Sequence, residues 1–119
     1  MKRKKILWIS RHPPLKKQLD ELRRIYGDFE LIQYAGYVKD SEEVVNLMKT
    51  YGADDIVVIL PMTMIYYLVN ELGVKPVWPE IERVNDDEDY DYQDPKTGRK
   101  YRFKRFVRIH GFEIIKEEL

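Results

Sequence analysis

Residues 10–14 read Ser10-Arg11-His12-Pro13-Pro14, setting a hydroxyl, a guanidinium and an imidazole side by side. These groups suit a phosphate. An arginine grips phosphate oxygens bidentately, a hydroxyl donates a further hydrogen bond, and an imidazole exchanges a proton near neutral pH. The diproline then shortens the loop and fixes its path. A second stretch, Pro61-Met62-Thr63, offers another loop that runs into a helix. The candidates are therefore Ser10, Arg11, His12, Met62 and Thr63 for ligand binding, with His12 and Ser10 for any chemistry. A structural reading stands beside each: serine or threonine ahead of a helix commonly caps it, and a lone histidine is commonly a surface or capping residue.

Such loops need elements to hold them. Residues 5–9, KILWI, predict a buried strand, and leucines at 15, 19 and 22 have helical spacing up to Gly27. FELIQY (29–34) predicts a second strand. Asp40 and Glu43 are spaced as a capping box, opening a helix that Gly52 stops. DIVVILP (55–61) is a continuous apolar run, as expected of a central parallel strand covered on both faces. A helix over 62–72 and a strand over 75–84 follow, the latter limited to an edge or interrupted by Pro76 and Pro79. This βαβ series predicts one α/β domain over 1–119. Its expected form is a three-layer Rossmann-like or flavodoxin-like, mostly parallel sheet with an added C-terminal β-hairpin. Ligands of such sheets bind beyond the carboxyl ends of the strands, where both candidate loops lie beside positive helix N-termini.

The hairpin is expected over 85–107, with Asp86, Asp87, Glu88, Asp89, Asp91 and Asp94 facing Arg99, Lys100, Arg102, Lys104, Arg105 and Arg108. Opposite charges across a hairpin stabilise pairing and keep an edge soluble. A phosphate-binding arm or a dimer contact is the competing reading. His110, on the same returning strand through FVRIHGFEII, reads as partly buried rather than catalytic. Tyr34 and Gly36 border the same cleft or mark a glycine-requiring turn, and Tyr66 and Tyr67 read as helix packing, with base stacking as the alternative.

Composition narrows the classes. The chain has 119 residues, no cysteine, two histidines, and 21 basic against 21 acidic residues. Thiolate metal sites are excluded, and no metal or cofactor is expected. A neutral balance argues against binding long nucleic acid. No apolar run is long enough for a membrane span or a signal peptide, so a soluble cytoplasmic protein is expected. Abundant Lys and Glu with few Gln are compatible with a thermophilic source. Dinucleotide, P-loop, zincin and nucleophile-elbow motifs are absent.

ISRHPP, VVILPMTMIYYLV, GVKPVW and FVRIHGF together resemble two groups of small proteins. One is the CRISPR-associated Csx-type group, whose first strand ends in a similar Ser-Arg-His-Pro. The other comprises phage and plasmid proteins with Thr-Gln-His-Pro at that place. The resemblance implies a dimeric Rossmann-like domain that binds or degrades cyclic oligoadenylate. In such a ring nuclease a ribose 2′-hydroxyl attacks its neighbouring phosphate without a metal. Carried over, Ser10, Arg11 and His12 would hold or activate the phosphate, and Thr63 would contribute from the facing loop. The phage group has histidine directly after the arginine of its last strand. Here Ile109 stands there, so no role passes to His110. Two other classes stay open: a non-catalytic interaction protein using the charged hairpin, and nucleic-acid binding through the basic strand.

Overall fold

The computed structural model describes residues 3–119. Its elements are β1 (Lys4–Ile9), α1 (Lys16–Tyr26), β2 (Phe29–Tyr34), α2 (Ser41–Tyr51), β3 (Asp55–Val58), α3 (Met62–Asn70), β4 (Val77–Val84), β5 (Tyr92–Gln93) and β6 (Lys100–Arg108). The six strands form one sheet in the order β2-β1-β3-β4-β6-β5. The first four are mutually parallel, whereas β6 runs antiparallel to β4 and β5 antiparallel to β6. The fold is α/β with a mixed sheet, so the mostly parallel arrangement expected from the sequence holds only for β2-β1-β3-β4.

The period-two geometry of a strand explains why β1 and β3 are apolar throughout. Ile6, Trp8 and Val57 point to one face and pack with Leu22 of α1, Phe29 and Val77. Leu7, Ile9, Ile56 and Val58 point to the other and pack with Val44 of α2 and with Ile65 and Leu68 of α3. One helix therefore covers one face and two cover the other.

Helix boundaries follow local chemistry. Pro13 and Pro14 precede α1, and because Leu15 has no side-chain oxygen, Gln18 turns back so that its Oε1 accepts the Leu15 N–H at 2.9 Å. Gly27 ends the helix at φ 76°, a conformation glycine adopts at little cost. Asp40 caps α2 by accepting the Glu43 N–H at 2.9 Å, while Glu43 accepts the Lys39 N–H at 2.7 Å. Pro61 begins α3, and its carbonyl accepts from both Met64 and Ile65.

The charged hairpin forms differently from expectation. The basic strand β6 pairs along its length with β4, not with the acidic arm. Residues 85–99 instead make a long connection, and only Tyr92–Gln93 pairs with β6. Four successive acidic residues, 86–89, repel one another and are poor strand formers. β4 offers Glu80 and Glu82 on one face, opposite Arg105 and Arg102. A bulge between Glu80 and Ile81 leaves Lys104 as the additional residue on β6. The returning strand stops at Arg108 rather than running on through residue 115. Its last rung is Ile109 N–H to Pro76 O, and Pro76 has no N–H to give back. The chain then leaves the sheet and packs Phe112 against Tyr66, with Asn70 bonded to the Phe112 backbone. His110 is exposed there.

Pro79 sits inside β4 opposite Phe106 of β6, yet breaks nothing. β3 meets β4 only at Val57–Val77, so from Trp78 onward that side of β4 has no ladder for a missing N–H to interrupt.

Candidate functional site

Beyond the carboxyl ends of β1, β2 and β3 lies an open hollow of about 380 Å³. Three loops build it: Ser10-Arg11-His12 after β1, Gly36 to Lys39 after β2, and Ile59 to Pro61 after β3, with Met64 closing the α3 side. Ser10 continues the ladder, its N–H donating to Tyr34 O at 3.2 Å, and its side chain is 7% exposed. Its Oγ accepts the His12 N–H at 3.1 Å, which tightens the loop. Trp8 Nε1 donates to His12 O at 2.9 Å and fixes the same loop from within the core. The serine therefore has a structural duty, yet its own hydroxyl proton has no acceptor among the described residues.

No carboxylate lines the hollow, but Arg11 and Lys39 do, and neither has an ion-pair partner among the described residues. The N-terminus of α3 has no side-chain cap, but the Met64 and Ile65 N–H groups donate to Pro61 O, and Met62 and Thr63 are not in the lining. By charge and by one hydroxyl, the hollow can take an anion. Tyr37 stands on its rim, 74% exposed.

Of the residues singled out in the sequence, Ser10, Arg11 and His12 come together on the hollow. Met62 and Thr63 are exposed on the first turn of α3 and do not line it; Pro61 and Met64 occupy that wall. Gly36 lines it too, where a Cβ would meet the Tyr34 ring at 2.9 Å, and its backbone is not left-handed. Lys39 went unread in the sequence. The available signal was positional: it precedes the Asp40 cap at the same sheet edge as residue 10.

A second depression, a groove of about 690 Å³, adjoins the first and shares His12, Ile59 and Leu60 with it. It opens where β4 parts from β3. Five aromatic side chains line it, Trp8, Trp78, Tyr92, Tyr101 and Phe103, and Asp91 and Arg102 are its charged members. The His12 ring lies 5.6 Å from that of Tyr92, and Tyr92 lies 6.4 Å from Tyr101. Gln18 lines the groove from α1.

A third polar cluster lies at the opposite end of the parallel strands. Asp55 receives Arg108 Nη1 at 3.0 Å and Nη2 at 2.6 Å, the Tyr26 hydroxyl at 2.7 Å and the Ile56 N–H at 2.9 Å. Burial pushes the Asp55 carboxyl upward, but the Arg108 guanidinium, the Tyr26 hydroxyl and the Ile56 N–H outweigh it and hold the group below its ordinary value. Burial first, then the Asp55 charge, pushes the Tyr26 phenol well above its usual range. Both Asp55 oxygens are engaged internally, each by Arg108 and one further donor.

The basic strand is also largely neutralised. Arg102 and Lys104 reach Glu82 at 2.9 and 3.9 Å, Arg105 reaches Glu80 at 3.5 Å, and Lys100 donates to Asp86 O while lying over the Tyr90 ring. Of the acidic arm, Asp91 is the member drawn inward. It accepts from Lys17 of α1 at 2.9 Å and from the Phe103 N–H at 2.8 Å, tying the connection to the body.

Comparison with protein-family models, with curated proteins and with solved structures found no match.

Proposed function

We propose that the chain is a nucleotide-ligand domain, most specifically a dimeric binder or ring nuclease of cyclic oligoadenylate. The observation that carries the reading is the hollow itself. Its lining is free of carboxylates, and among the described residues Arg11 and Lys39 have no ion-pair partner and the hydroxyl proton of the buried Ser10 has no acceptor. The strand order β2-β1-β3-β4, with helices on both faces, supports taking this part as Rossmann-like, and the hollow lies where such sheets hold ligands. The Ser-Arg-His-Pro resemblance adds the ligand class.

In this reading Arg11 and Lys39 hold a phosphate and Ser10 donates to one of its oxygens. If the ring is cut, the ribose 2′-oxygen bonds to phosphorus while the bond to the next 5′-oxygen breaks. The 2′-hydroxyl loses a proton, the 5′-oxygen gains one, and His12 on the rim is the group that exchanges protons. The attacking group belongs to the ligand, so the protein's contribution is orientation and charge stabilisation. A hollow of about 380 Å³ takes a phosphate with its ribose rather than a whole ring. Two copies about a two-fold axis would present two such hollows to a symmetric ligand.

The test is incubation of the purified protein with cyclic oligoadenylates of differing ring size. Complex formation is expected by native mass spectrometry, and linear products with 2′,3′-cyclic phosphate ends are expected if turnover occurs. His12→Ala is expected to stop cleavage and leave binding. Absence of a complex with every ring size overturns the reading. The pairing of Arg102, Lys104 and Arg105 with β4 glutamates favours it over nucleic-acid capture by the basic strand, which needs unpaired cations.

A further inference from the structure

We infer that the aromatic groove beside the hollow is a subsite for a planar nitrogen-containing ring carried by the same phosphate ligand. The inference deepens the reading above, because it takes that ligand's phosphate to sit at Arg11. Three independent observations point to it.

The first is continuity. His12, Ile59 and Leu60 line both depressions, so a ligand anchored at Ser10 and Arg11 passes over His12 directly into the groove. The second is the lining. Tyr92 is 42% exposed, lies 5.6 Å from the His12 ring and stands with Tyr101 on the β5–β6 wall. Such rings offer flat apolar faces to a base, and base–aromatic stacking tolerates any base because each has a π-face.

The third is a donor with no protein acceptor among the described residues. Gln18 is 7% exposed, and its Oε1 is committed to the Leu15 N–H. That bond fixes the orientation of the carboxamide and leaves Nε2 with no acceptor among the described residues. No polar side-chain atom sealed from solvent lacks a partner, so this amide reaches open space, and Gln18 lines the groove. A ring nitrogen or a ring carbonyl supplies the acceptor it lacks. A purely apolar occupant, such as a partner's aliphatic side chains, would leave that amide unsatisfied.

Three probes separate the subsites by calorimetry: ribose 5-phosphate for the hollow, adenosine for the groove, and adenosine monophosphate for both. Adenosine monophosphate is expected to bind at least about tenfold more tightly than ribose 5-phosphate, the scale of one stacked base. Tyr92→Ala is expected to erase that advantage while leaving ribose 5-phosphate affinity unchanged. Gln18→Glu keeps an oxygen for the Leu15 N–H but removes the amide donor, and is expected to weaken both adenine-bearing probes. Equal affinity of the two phosphates overturns the ring subsite alone, provided Arg11→Ala still weakens both. An adenine advantage that survives Tyr92→Ala and Gln18→Glu also overturns it. Binding of adenosine that depends on Tyr92, with no binding of ribose 5-phosphate, supports the groove and overturns the phosphate reading. Failure of all three probes overturns both.

Discussion

The parallel strands carry a polar cluster at each end, and the two clusters differ in what they leave open. At the amino end of β3, Asp55 takes both arms of Arg108, the Tyr26 hydroxyl and a backbone N–H, and Arg108 spends its remaining reach on Lys75 O. At the carboxyl end of β1, Ser10, Arg11 and Lys39 line a hollow with no carboxylate in its lining. Similar residue types thus serve opposite ends. A closed set holds the strands together, and an open set leaves its cations without ion-pair partners among the described residues.

Substitutions test that division, the largest effect first. Asp55→Ala strands a guanidinium and a half-buried phenol, and is expected to cost about 3 kcal/mol of stability by chemical denaturation, with ligand affinity of the folded fraction unchanged. Arg11→Ala is expected to do the reverse. It lowers affinity for the phosphate probe about thirtyfold, near 2 kcal/mol, and leaves the melting temperature in place. A fall in melting temperature matching that of Asp55→Ala would make the Arg11 end structural too. A smaller effect comes from pH. Because the folded Asp55 carboxyl lies below its ordinary value of 3.8, its contribution is full above that value and is lost as pH falls through the lower folded value. Wild-type stability is therefore expected to decline more steeply below pH 4 than that of Asp55→Asn, by denaturation at stepped pH. The smallest effect belongs to the exposed ladder: Arg102→Ala, which opens its bond to Glu82, is expected to keep the melting temperature within experimental scatter.

Much of the parallel half was legible because its signals are local. ILWI and IVV are apolar without interruption since both faces of β1 and β3 are covered, and Gly27, Asp40 and Gly52 mark helix ends by chemistry confined to a few residues. The Ser10-Arg11-His12 triplet was legible for the same reason, as a break in an apolar run. The antiparallel half depended on a choice between partners. β6 had an acidic arm nearby in sequence and the alternating Glu80 and Glu82 farther back, and the alternating pair won because it matches the pleat of a strand. The Asp55–Arg108 clamp joins residues 53 positions apart and leaves no periodic trace in the sequence. Lys39 and the groove emerged only once the strand order was known, since their neighbours come from three or more separate segments.

The single rung between β3 and β4 has a mechanical consequence. Asp55 and Arg108 rivet the sheet at one end, Val57 and Val77 add one ladder pair, and beyond them β4 continues to Val84 while β3 has already ended. The β4–β6 ribbon is therefore a cantilever, fixed at its root and tethered near its tip by Lys17 and Asp91. That ribbon supplies Tyr101 and Phe103 to one wall of the groove, whereas Trp8, His12 and Gln18 of the facing wall belong to β1, the loop after it and α1.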